Sequence, residues 1–150
     1  MSAPFRFGLQ RVREIRAHDE DQAKERFAAS LSARVRGEAV LRAAESRLRD
    51  AQSGVLSPGL GPLTGASLVA RQAWVERLEH DRVDAQLRMR NYETELQTRR
   101  SELAKASQAR EVLDKLEERQ REEHRLESER VESERLDEMA LQMHARRMAA

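Results

Sequence analysis

Four histidines, His18, His80, His124 and His144, are the side chains best suited to hold a metal or move a proton. None falls in an H-E-x-x-H motif. No two stand three or four positions apart, the spacing that puts two imidazoles on one helix face. Asp19, Glu20 and Asp21 gather acid, but paired carboxylates acquire different pKa values only inside a pocket, so this cluster reads as a solvated face. The stretch S-G-V-L-S-P-G-L-G-P-L-T-G, Ser53 to Gly65, is glycine-rich but lacks G-K-[ST]. Pro58 and Pro62 also remove amides that a phosphate cradle needs. There is no cysteine for thiolate chemistry and no G-x-S-x-G for a serine nucleophile. The expectation is a chain with no catalytic residue, no cofactor site, no metal site and no small-molecule substrate.

The elements that would carry such residues point the same way. Four of the six glycines and two of the three prolines fall between Ser53 and Gly65. Proline breaks a helix, and glycine weakens one by about 1 kcal/mol relative to alanine. Strong helix formers flank the stretch on both sides. Charged residues make up 37% of the chain and aromatics 3%, at a mean hydropathy of -0.83, too little for a globular core. The pattern predicts an all-α fold of 1–150 as one domain. Two long helices, about 8–52 and 66–148, form an antiparallel coiled-coil hairpin reversed at about 53–65. At 1.5 Å per residue the second helix, roughly 120 Å, outruns the first, roughly 65 Å, so its end projects as a single helix.

A narrow apolar seam supports that pairing. In the first helix it comprises Leu9, Val12, Ile15, Ala23, Phe27, Leu31, Val35, Leu41, Ala44, Leu48 and Ala51. The last four step by 3, 4 and 3, a heptad rhythm. The seam weakens around His18 to Asp21. Gly37 interrupts it, as a tolerated defect or as a point of bending or close approach. In the second helix, alternating steps of 3 and 4 from Val75 land on Leu78, Arg82, Ala85, Met89, Tyr92, Leu96, Arg99, Leu103, Ala106, Arg110 and Leu113. The arginines can bury their stems and keep their heads wet. From Glu117 the same walk becomes polar, so Lys115–Arg135 lacks a full intramolecular partner and leans on i,i+4 pairs.

What remains are surfaces. Residues 111–135 hold 6 basic and 10 acidic side chains, against a net charge of +1 for the whole. Most arginines have acidic neighbours, which disfavours nucleic acid. Arg6, Arg11, Arg13 and Arg16 form the best basic patch, solvated or touching acidic lipid, RNA or an acidic protein face. No run of about 18 apolar residues could span a membrane, and the opening M-S-A-P-F-R-F-G lacks a signal-peptide core. Trp74 either caps the loop end or stands exposed as an interface anchor. Leu136, Met139, Ala140, Leu141, Met143 and Met148 restore apolar character at the end, and flexible thioethers suit either packing or an adaptable docking face.

The start F-R-F-G-L-Q-R-V-R-E-I-R resembles the opening of the flagellar export protein FliJ, through Phe5, Phe7, Leu9, Val12 and Arg16. The L-D-E-M-A at Leu136–Ala140 is similar to that family's ending. The resemblance spans nearly the whole chain. It implies a cytoplasmic stalk and adaptor of the flagellar type III export apparatus, with no enzymatic activity of its own, peripheral on the cytoplasmic face of the inner membrane through its partners. The implied partners are the ring of the export ATPase FliI, the export gate FlhA and export chaperones. The implied gate contact is Trp74 and Leu78, continued by Asp81 and Ala85. Partner or ring docking is expected at Phe5, Phe7, Leu9, Val12, Leu136, Met139 and Met143. Injectisome stalks of the YscO type share the architecture. A homodimeric coiled-coil tether, paired through the Val75–Leu113 seam, is the alternative from another class.

Overall fold

The computed structural model describes residues 4–53 and 64–149. The expected reversal falls mostly on 54–63, outside the described residues. Two helices account for nearly all of the rest: α1, Gln10–Gln52, of 43 residues, and α2, Gly65–Met148, of 84 residues. No strand occurs among the described residues.

Local chemistry sets the ends of the helices. Thr64 caps α2: its side-chain hydroxyl accepts the Ser67 amide at 3.2 Å, while the Ser67 hydroxyl accepts the Thr64 amide at 2.9 Å. This is a reciprocal capping box with serine in place of the usual glutamate. At the end of α1 the Ser53 hydroxyl donates to the Asp50 carbonyl at 3.0 Å, meeting one of the carbonyls left open there.

The contacts divide the chain into two units, Asp21–Ala104, and Met1–Glu20 with Lys105–Ala150. In Asp21–Ala104 the helices run antiparallel. Arg71 donates to the Ala51 carbonyl at 3.3 Å, Tyr92 lies against Gly37, and Arg34 reaches Glu93 at 4.0 Å. In the other unit the order is again antiparallel, with Glu20 on Arg110, Arg13 on Asp114 and Phe5 on His124. The fold class is therefore all-α, two long helices paired antiparallel, the second longer.

The core is a thin line. Ala23, Ala44, Leu48, Leu78, Ala85 and Met89 are its buried apolar members in Asp21–Ala104. On α2 the seam follows the sequence: every position of the walk from Val75 to Leu113 is buried or half-buried. On α1 the structure corrects it. Leu31 and Val35 are exposed, as are Leu9, Val12 and Ile15. The observed line is Phe27, Ser30, Arg34, Gly37, Leu41, Ala44, Leu48, Ala51. Two successive steps of four swing a side chain about 80° around the helix, so Phe27–Leu31–Val35 leaves the seam, whereas alternating threes and fours stay on it.

Gly37 belongs to that line for a steric reason. A Cβ there would lie 2.6 Å and 2.7 Å from the Tyr92 ring edge and 3.6 Å from the Met89 sulfur. Of the two readings of Gly37, close helix approach is the one realised.

Candidate partner-docking surfaces

The amino-terminal residues are fastened along α2 by a chain of charge. Glu20, 5% exposed, accepts from the Ser107 hydroxyl at 2.9 Å and from the Arg110 guanidinium. Arg110 continues to Asp114 at 2.5 Å, Asp114 to Arg13 at 2.8 Å, Arg13 to Glu117 at 2.7 Å, and Glu117 to Arg121 at 2.7 Å. Arg121 sits over the Phe5 ring at 5.5 Å, and Phe5 meets His124 edge-on at 5.7 Å. The hydrogen bond from Arg110 to Glu20 raises the Arg110 pKa, and that from Arg13 to Asp114 raises the Arg13 pKa. Both cations are thereby held firmly in the charged form.

This network revises two expectations. Glu20 is no part of a solvated acidic face; it occupies the seam position at which the apolar pattern of α1 lapses. The polar walk of α2 past Leu113 is also covered further than expected, since Glu117, Gln120 and His124 are half-buried beneath the amino-terminal residues. Nothing in a hydropathy pattern marks these positions. The signal lies in register: continuing the α1 line backwards by steps of 3 and 4 from Phe27 lands on Ala23 and then Glu20.

The site residues taken from the resemblance are divided by burial. Phe7 is buried and Phe5 is half-buried against Arg121 and His124, so both serve the chain's own packing. Leu9 and Val12 face solvent. In the first turns of α2, Trp74 is 52% exposed, whereas Leu78, one turn on, is 3% exposed. Asp81 is exposed and Ala85 is buried. The four therefore alternate between an exposed flank and the hairpin core. Beside Asp81 and Ala85 lies an open groove of about 250 Å³, walled by Val40, Ala44 and Arg47 of α1 and by Arg88 of α2. Of these α1 residues the sequence marked Ala44 alone, as a seam position; Val40 and Arg47 were not singled out.

The end of α2 is different. From Glu132 to Ala149 every described residue is exposed. Leu136, Met139 and Met143 are 58%, 52% and 61% exposed, on one face by their spacing. Upstream, Arg125 pairs with Glu122 and Glu129, and Arg130 with Glu127 and Glu134, ladders that support helix where no second helix packs.

Among the described residues no three His, Asp or Glu gather as a metal cluster, and no helix is long and apolar enough to cross a membrane. No curated protein and no solved structure matches the chain. A family model does, the flagellar FliJ protein, over residues 5–149. That match includes both aromatic-rich start and apolar end, together with all of α1 and α2, so the chain belongs to the flagellar FliJ protein family, whose members are components of the flagellar export apparatus.

Proposed function

We propose that this protein is the stalk and adaptor of the flagellar export apparatus, a non-enzymatic shaft that enters the export ATPase ring and meets the export gate. The observation that supports it best is the seam. Every seam position of α2 from Val75 to Leu113 is buried or half-buried within its own chain. A rival homodimeric tether would need that seam for a second copy. A shaft that works inside a ring must instead be folded as one molecule, with a charged outside that forms no deep contact. Exposed ion pairs are worth only about 0–1 kcal/mol each, which suits transient engagement of successive subunits.

In this reading the gate contact is carried directly by Trp74 and Asp81, which a partner can reach. Leu78 and Ala85 contribute by holding that flank in place from the core. Leu9, Val12, Leu136, Met139 and Met143 dock the ring or its neighbours, with Phe5 and Phe7 fixing the amino-terminal end of that surface. Export chaperones are released and collected by the same shaft. The protein is cytoplasmic and reaches the inner membrane through its partners. The family match is to the flagellar proteins, which favours this system over a YscO-type injectisome.

The decisive experiment adds the purified chain to its cognate export ATPase. Complex formation with a rise in ATP turnover is expected. An ATPase that neither binds the chain nor changes its rate rejects the proposal.

A further inference from the structure

The groove beside Asp81 and Ala85 continues along the hairpin, away from Trp74. Val40, Ala85 and Arg88 wall both that groove and a second, smaller hollow of about 110 Å³. Ala33, Gly37 and Val40 of α1 line the hollow together with Ala85 and Tyr92 of α2. Steps of 4 and 3 keep the three α1 residues on one flank, and alanine and glycine leave the backbones open to close approach. Two guanidiniums complete it, Arg36 from α1 and Arg88 from α2, with no carboxylate among the lining residues. Arg36 donates to the Ser32 hydroxyl at 2.8 Å and makes no ion pair among the described residues. Arg88 makes neither a hydrogen bond nor an ion pair among them, although Asp84 stands one turn before it on α2. The Tyr92 hydroxyl also lacks a hydrogen-bond partner there. By contrast Arg34, Arg42 and Arg99 of the same unit each reach a carboxylate.

We propose that this hollow receives an acidic segment of a partner protein. One aliphatic side chain of the segment fills the cavity, whose volume suits a group of that size. Carboxylates on either side of it accept hydrogen bonds from Arg36 and Arg88. An apolar floor under an unmatched positive rim is complementary to that pattern. A basic segment would set cation on cation, and a free inorganic anion would leave the floor empty. Arginine and tyrosine are also the side chains enriched where binding energy concentrates. The site lies beyond the exposed Trp74 flank, and the inference stands whichever partner that flank meets.

A phage-displayed library of random peptides, panned on the immobilised full-length chain, supplies the probe. Enriched peptides should carry an apolar residue flanked by Asp or Glu. Titrated into the isotope-labelled chain, such a peptide should shift the amide resonances of Gly37, Val40, Ala85 and Tyr92 and saturate. Arg36→Gln/Arg88→Gln should weaken it at least about tenfold, as the loss of two charge-assisted hydrogen bonds requires. Val40→Phe should weaken it comparably, by filling the hollow with both charges kept. These positions are exposed, so thermal unfolding of the variants should match wild type. Arg49→Gln/Arg90→Gln removes two exposed arginines that do not line the hollow and should leave binding unchanged. A library with no enrichment, or with enriched peptides that lack acid, overturns the inference. So does binding indifferent to Arg36→Gln/Arg88→Gln and to Val40→Phe, or an equal loss in Arg49→Gln/Arg90→Gln, which would report net charge alone.

Discussion

Adding one methyl group at Gly37 should destabilise this protein, against the usual rule for helices. Alanine in place of glycine inside a helix ordinarily stabilises by about 1 kcal/mol. Here the new Cβ would lie 2.6 Å and 2.7 Å from Tyr92 Cδ2 and Cε2, far inside van der Waals contact. These are atoms of a rigid ring on a half-buried residue, so either the ring rotates away or the two helices part. Overpacking of that kind costs about 1–3 kcal/mol. Set against the propensity gain, Gly37→Ala should lower stability by about 0–2 kcal/mol. In a chain of this length each kcal/mol moves Tm by roughly 2–4 °C. Tyr92→Ala removes the obstruction, and in that background Gly37→Ala should raise stability by about 1 kcal/mol. A double-mutant cycle read by thermal and urea unfolding should therefore give a coupling of at least about 1 kcal/mol. If Gly37→Ala stabilises the wild type by the full propensity gain and the cycle shows no coupling, the close approach assigned to this position is wrong.

Leu78→Ala should cost roughly 2–5 kcal/mol, near the low end because the core is one residue deep, whereas Trp74→Ala should leave Tm nearly unchanged and weaken gate binding; equal effects on stability would erase the distinction drawn between them. Glu20→Leu removes the acceptor shared by Ser107 and Arg110 and leaves Arg110 with Asp114 alone, and backbone amides of residues 5–20 should exchange faster with deuterium while those of Asp81–Tyr92 keep their protection; uniform change would show that the charge network does not anchor the amino-terminal residues. Hydrogen bonds from Arg125 and Arg130 lower the pKa of Glu122 and Glu127 in the folded chain. Groups with depressed folded pKa values stabilise above the ordinary carboxylate range, about 4.3, and lose that contribution as pH falls through the lowered values. Carboxyl NMR titration should find both glutamates below the ordinary midpoint, and Arg125→Gln with Arg130→Gln should return them to it. Midpoints indifferent to those substitutions would count against the ladder.

Much of this protein was decided one-dimensionally. A long helix needs only strong formers and the absence of breakers, and both are visible as composition, with proline confined to Pro4, Pro58 and Pro62. The α2 seam was equally legible, because the 3–4 rhythm runs from Val75 to Leu113 without a slip, with arginine in place of an apolar residue only at Arg82, Arg99 and Arg110. The α1 seam was not. Leu31 and Val35 are apolar enough to suggest the line and lie off it, while Ser30, Arg34 and Gly37 lie on it. Hydropathy records what a side chain prefers, whereas the facing helix determines which side chain fits, and Tyr92 and Met89 leave room only for glycine at 37. The same holds for Glu20. Sequence showed an acid among acids; only the antiparallel register, which brings Arg110 and Ser107 to it, turned a charge that belongs in water into a buried anchor. Single-helix properties follow from order along the chain, but partnerships across helices depend on register, and register is set by the whole length of both helices together.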